Sequence, residues 1–309
     1  MKKMLILMVA LMVVMTGCFG PSKVEKGDLN IYTVNNKDGK ITPKMIEEAF
    51  KANGFAIGVN ADISDGLMKM FKENDFKIYN NISLYHKDIT LGLMKAHADA
   101  GILAPMGVVI YQKLGSDNLS IAFSSAEAQA KMIGAKAEEF KSLEESVSKV
   151  ITTLLPKAKR GSNEESSPET RTLLTKYAFD IKGEDWEDAK DDLEENFEDQ
   201  FAKAGFVMPS YFDFTQDFGE NSPYDFFATY SICKIEVVRS ISKVKPEAAA
   251  LGPCTTMVYK KKDEDKIVMG FASVYNWISS AKVQDKKSVD GLLKAQSDFE
   301  AILKDVTKN

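Results

Sequence analysis

Hydrophobic residues recur along this 309-residue chain at two spacings. Phe76, Ile78, Ile82 and Leu84 alternate with Lys77, Tyr79, Ser83 and Tyr85, and Tyr224, Phe226, Tyr230 and Ile232 alternate with Asp225, Phe227, Ser231 and Cys233. Period two predicts strands with one face in a core. Ile46, Ala49 and Phe50 are spaced as on a helix that Thr42 caps, Pro43 opens and Gly54 stops. Trp186, Ala189, Leu193, Phe197 and Phe201 predict a second helix, entered through Gly183, with an acidic outer face. That acidic run lacks the calcium-loop spacing, so it reads as a solvated face. Short strands precede both helices, over Asn30–Val34 and Tyr177–Ile181, and a further helix is expected from Asp88 to Ala100.

The elements come twice in the same order. ILAPMGVVIY (102–111) is echoed by ALGPCTTMVY (250–259), and matching Tyr111 to Tyr259 also aligns Leu103 with Leu251, Pro105 with Pro253 and Phe123 with Phe271. Upstream, FKANGF (50–55) answers FAKAGF (201–206) at an offset longer by three residues. Two motifs in order, a domain apart, predict a duplication. In each copy the proline opens a strand that is apolar on both faces and turns back into an antiparallel partner, Leu119–Phe123 or Ile267–Phe271. Copy one closes with a helix bearing Phe140, Leu143, Val147, Val150 and Leu154 on one stripe. Residues 156–171, rich in Lys, Arg, Ser and Glu and without periodicity, read as an exposed linker between domains at 28–155 and 172–309.

The N-terminus has a different logic. Lys2 and Lys3 precede an apolar run from Met4 to Met15 that is too short to span a bilayer. With the small residues Thr16 and Gly17 it reads as a secretory signal over residues 1–17. Met15-Thr16-Gly17-Cys18 resembles the bacterial lipoprotein box, which implies cleavage before Cys18, acylation of its thiol (palmitate among the chains) and a tether over residues 18–27. Each buried methylene then adds about 0.8 kcal/mol of anchoring. The expected address is the bacterial envelope, on the periplasmic side of the outer membrane where two membranes exist. Losing Lys2 and Lys3 takes the formal charge from −5 to −7. That acidity argues against nucleic acid as a partner.

Candidate chemistry is thin. His86 and His97 have lysines at the equivalent places of copy two and read as capping or surface groups. No phosphate loop, dinucleotide motif or nucleophile elbow occurs, so no cofactor is implied and no catalytic residue stands out. Beyond Cys18 the cysteines are Cys233 and Cys254. A disulfide, two inert thiols, or a functional thiol all remain open. In the third case Cys254 and its counterpart Met106 would offer thiolate and thioether to a soft ion such as Cu(I), with Cys233 as a further candidate thiol. Copy two also carries aromatic residues with no comparable density in copy one. Tyr211, Phe212, Phe214 and Phe227 fit either core packing or a pocket for an apolar ligand.

Leu251-Gly-Pro-Cys254 running into Val258-Tyr259, and Leu103-Ala-Pro-Met106 running into Ile110-Tyr111, resemble the bacterial domain-of-unknown-function 302 family. The resemblance covers most of both copies. It implies an α+β domain, a sheet with helices packed on it, with a TATA-binding-protein-like layout. It also implies homodimer formation, so two copies in one chain suit an intramolecular pseudo-dimer. No activity comes with it. The expectation is a non-enzymatic envelope lipoprotein that binds a small apolar molecule or a partner protein, with a thiol-dependent redox or soft-metal protein built on Cys254 as the alternative.

Overall fold

The structure, a computed structural model, describes residues 27–308. The signal, Cys18 and nearly all of the tether lie outside the described residues. The first half runs β1 (Leu29–Asn35), α1 (Pro43–Lys51), β2 (Phe55–Asp62), α2 (Ile63–Phe71), β3 (Phe76–His86), α3 (Lys87–Ala96), a 3-10 segment (Ala98–Leu103), β4 (Met106–Lys113), β5 (Asn118–Ser124), α4 (Ala126–Ile133), α5 (Ala137–Leu154) and β6 (Lys159–Ser162). The second runs β7 (Leu174–Asp180), α6 (Trp186–Lys203), β8 (Val207–Asp213), β9 (Tyr224–Cys233), α7 (Ile235–Val244), a 3-10 segment (Pro246–Leu251), β10 (Cys254–Lys261), β11 (Lys266–Ala272), α8 (Tyr275–Ser279) and α9 (Lys286–Val306). Among the described residues no helix is long and apolar enough to cross a membrane.

These elements make two antiparallel sheets with helices, a mixed α/β architecture consistent with two domains. Their strand orders are β2-β3-β4-β5-β1-β6 and β8-β9-β10-β11-β7. Apart from β6 the order is the same, and so is the register. Met106 pairs with Leu84 as Cys254 pairs with Ile232, and each residue lies 148 positions before its counterpart (254 − 106, 232 − 84). Ala61 pairs with Asn81 as Phe212 pairs with Thr229. Both X-Pro bonds that lead into the central strands, Ala104-Pro105 and Gly252-Pro253, are cis.

Local chemistry accounts for the element ends. The Thr42 side chain accepts from the Met45 N–H with Pro43 in the first turn, and Asp185 and Asp285 cap α6 and α9 in the same way. Asp62 caps α2, which has no counterpart among the described residues of the second half. There, Gly219 and Pro223 break the chain into turns between β8 and β9. The helix expected to run to Ala100 instead stops at Ala96, and a 3-10 segment carries the chain on to the central strand.

One face of each sheet is covered by its own helices. In the second half Phe226, Tyr230, Val258 and Phe271 join Phe197, Phe201 and Phe299 in one core. The other faces turn toward each other, so Phe227, Met257 and Tyr259 belong to the core of the first half. The contacts across this seam are reciprocal. Asn81 Nδ2 donates to the Gly252 carbonyl at 3.0 Å, while Thr229, at the position equivalent to Asn81, donates from Oγ1 to the carbonyl of Ala104, the equivalent of Gly252, at 2.5 Å. Gly107 permits this approach: a Cβ there would lie 1.8 Å from the Gly252 oxygen.

The segment between the halves departs from the exposed linker that its composition suggests. Lys159–Ser162 pairs with β1 as an edge strand. Asn163 is buried, accepting from the Leu29 N–H and donating to the Ser280 carbonyl, and the Ser167 N–H donates to Ser279. Backbone pairing and one buried amide hold this stretch, and neither leaves an apolar period in the sequence.

Candidate functional site

A cavity of about 220 Å³ lies in the seam. The first half supplies β2, the start of α2 and the inward face of β3, with Val59, Ala61, Asn81 and Ser83. The second supplies α7, the ends of β9 and β10, Trp277 and the α9 residues Leu292, Ala295 and Phe299. Alternation places Asn81 and Ser83 here: Tyr79, Asn81 and Ser83 share the face of β3 that meets the second half. Tyr79 marks that face by donating from its hydroxyl to the Pro246 carbonyl at 3.2 Å.

Cys233 and Cys254 both line this cavity, and both are free thiols. Each is half-buried, as the wall of a void wider than water must be, with apolar groups around it. Burial pushes the Cys233 thiol up to about 11 and Cys254 further still. Both therefore stay protonated at neutral pH, the unreactive form. Met106 is not in this wall. It is buried in the first-half core beside a separate void of about 20 Å³. Among the described residues no group of three His, Cys, Asp or Glu converges as a metal cage would.

The aromatic stretch also lies elsewhere. None of Tyr211, Phe212, Phe214 or Phe227 lines the cavity. Tyr211 is half exposed on β8, Phe214 and Phe227 are fully buried, and Phe212 and Phe214 pack edge-on to Tyr85 at 5.1 and 5.0 Å. The shared register explains this arrangement. By strand register Cys233 corresponds to Tyr85 and Cys254 to Met106, each 148 positions on, and Phe212 to Ala61, 151 positions on. Where one side of the seam has small residues and a void, the other has large ones that fill the equivalent space. The rings are a filling, and the cavity is the place that lacks them.

The charged groups at the rim are engaged. Lys234 Nζ donates to the Ala204 carbonyl and Asp298, both at 3.1 Å, and sits 4.7 Å from the Phe206 ring. Asp62 is held by its cap. Just past the end of α2, Glu73 ties this segment to α7: its carboxylate meets Arg239 at 2.7 Å and Lys243 at 2.8 Å. A second depression, of about 460 Å³ beside α1, is polar, and Lys44, Glu47, Asn60 and Asn80 in its lining are joined by hydrogen bonds. Asn60 donates to Glu47, Asn80 donates to Asn60, and Lys44 and Lys51 close on Glu47. The histidines hold local structure: His86 Nδ1 caps α3, and His97 at its other end pairs with Glu139 at 2.6 Å.

The sequence profile of the domain of unknown function DUF302 matches residues 31–154. Residues 31–154 are a DUF302 domain. The matched span takes in β2, α2 and β3, the first-half wall of the cavity. Among solved structures, the crystal structure of an uncharacterized conserved DUF302 protein from Bacillus stearothermophilus is 18% identical; the match covers 39% of this chain and 94% of that one, with a TM-score of 0.34. No curated protein matches the chain.

Proposed function

We propose that this chain is a binding module that holds a small apolar molecule between two copies of one α+β domain. The copies are fused in tandem as an intramolecular pseudo-dimer of TATA-binding-protein-like layout, and lipidated Cys18 tethers them to the bacterial envelope. The observation that carries the reading is the apolar cavity at the seam, present on one side and filled on the other. Interfaces between domains are the common place for such sites. The reciprocal bonds of Asn81 and Thr229 support the pseudo-dimer, because self-complementary contact is the signature of a twofold interface. Nucleic acid is no part of the reading.

Native mass spectrometry of the purified protein tests it. A retained organic mass of one compound, lost on filling the cavity with Ala61→Phe, is the expected result. A bare chain that takes up no apolar probe would end the ligand reading and leave a protein partner. The thiol alternative draws on the convergence of Cys233 and Cys254 on one wall. It predicts that Cys254→Ser abolishes copper(I) uptake. Labelled palmitate that enters the wild type equally with Cys18→Ala would overturn the anchor.

A further inference from the structure

Each sheet ends in two edge strands, and three of these edges are blunted. β2 and β8 are bulged, β8 also carries Pro209, and the two meet in the seam, where Gly58 lies against the Phe212 ring. β6 is four residues long and opens with Lys159 and Arg160. β7 has none of these devices. It is seven residues long, contains no proline and pairs with β11 in unbroken register from Leu174 to Asp180. Its lysine is no deterrent, because Lys176 Nζ is held by Asp99 at 2.7 Å. Among the described residues no strand pairs with its other side. A long, regular edge of this kind is a template for a further strand.

The first half has a strand at the equivalent edge. Phe123 pairs with Asn30 as Phe271 pairs with Thr175, so β7 corresponds to β1 at an offset of 145 (175 − 30), and β1 is covered by β6. Leu29, the equivalent of Leu174, accepts from the Asn163 N–H at 3.3 Å on that covered side. The same parity holds in β7. The Ile181 N–H donates to the Asp265 carbonyl, and the Leu173 carbonyl accepts from the Ser273 N–H, so odd positions face β11. Lys176, Ala178 and Asp180 therefore send their N–H and C=O groups outward. All three residues are exposed, and Tyr177 and Phe179 between them are half-buried.

We propose that β7 is the contact through which two copies of this chain join, strand against antiparallel strand across a twofold axis at Ala178. In that register Lys176 lies opposite Asp180 of the second copy, Ala178 opposite itself and Tyr177 opposite Phe179. Opposite charges then meet on one face of the ribbon and aromatic rings on the other. Lys176, Ala178 and Asp180 form the closely spaced pairs, which exchange about six backbone hydrogen bonds. Moving the axis to Tyr177 would instead set Leu174 against Asp180 and lose the charge match. The contact uses none of the seam, which is closed within one chain, so it stands whatever the cavity holds.

The full chain in detergent is followed by sedimentation across a dilution series. A dimer that dissociates on dilution is expected, and Ala178→Pro abolishes it. That proline removes an outward N–H and leaves the pairing with β11 in place, so its urea midpoint stays near the wild-type value. Cysteine cross-linking under a mild oxidant reads the register separately, with the wild type as background. Closely paired Cα atoms lie about 5.5 Å apart, within disulfide reach, so Ala178→Cys forms a covalent dimer on a non-reducing gel. Lys176→Cys alone does not, since its twin lies about 14 Å along the ribbon, but it links to Asp180→Cys when the two are mixed. A chain monomeric throughout, a dimer that survives Ala178→Pro, or Lys176→Cys linking to itself as well as Ala178→Cys does would each overturn the proposal.

Discussion

Cys254→Met writes the first-half residue into the second half and asks whether the void is real space. Methionine adds two heavy atoms to cysteine, about 50–60 Å³ when each is given roughly a water molecule's share of liquid volume. At about 24 cal/mol per Å³ of cavity removed, filling contributes roughly 1.3 kcal/mol. Ordering a flexible side chain costs about 1.5 kcal/mol and offsets it. The variant should therefore unfold within about 1 kcal/mol of the wild type, without the 1–3 kcal/mol loss typical of overpacking. Binding should respond quite differently. The new side chain takes about a quarter of the 220 Å³, so indole, an apolar probe of about nine non-hydrogen atoms, no longer fits and its affinity falls by at least about tenfold. Urea denaturation and indole calorimetry on the same preparation read the two effects. Destabilisation of about 2 kcal/mol or more would mean that the Cys254 side chain has no room before it. Undiminished binding in a stable variant would mean that the probe sits elsewhere. Either result refutes the reasoning.

Other consequences follow from the same geometry. Gly107→Ala drives a methyl into the Gly252 carbonyl, backbone against backbone, and should cost about 3 kcal/mol or more in denaturant melts. Gly92→Ala, in a helix with nothing within 4 Å of the new methyl, should instead stabilise by about 0.5–1 kcal/mol. The Arg239 guanidinium first, and the Lys243 ammonium next, hold the Glu73 carboxyl down at about 2, below its ordinary 4.5. A carboxyl depressed by folding stabilises above its unfolded value and loses that contribution as pH falls through the folded one. Hydrogen-exchange protection of α2 should hold from pH 7 to 5 and fall between about 4.5 and 2; a loss already complete at pH 5 would contradict the clamp. With Cys233 raised to about 11 and Cys254 above it, alkylation of the folded chain by iodoacetamide, followed by mass, should be slow at pH 8 and accelerate only toward pH 11. Rapid modification at pH 7 would revive a reactive thiol.

Much of the fold is legible in the sequence. Alternation in Phe76–Tyr85 and Tyr224–Cys233 located β3 and β9, because a strand with one face in a core writes period two into its sequence. The echo at Pro105 and Pro253 located the central strands and their common entry. The edge strands were harder. Val59 and Asn60 in β2, and Ser210 in β8, are only half-buried, and a bulge interrupts each strand's pairing, so their alternation is blurred. Strand β6 and the buried Asn163 left no pattern, since their bonds run through backbone and one amide.

The site divided along the same line. By itself the sequence determined that Cys254 stands where copy one has Met106, and the same offset would have set Cys233 against Tyr85. It could not say which of those differences makes a hole. A void is fixed by what several distant side chains leave unfilled, and here Ala61, Cys233 and Cys254 meet only when the two halves close. Aromatic density pointed to Tyr211, Phe212, Phe214 and Phe227, yet packing made those rings the filling of the opposite side. Local pattern settles which face of a strand is apolar. Only the docking of two such faces, with side chains of unequal volume at equivalent places along the seam, decides where space remains.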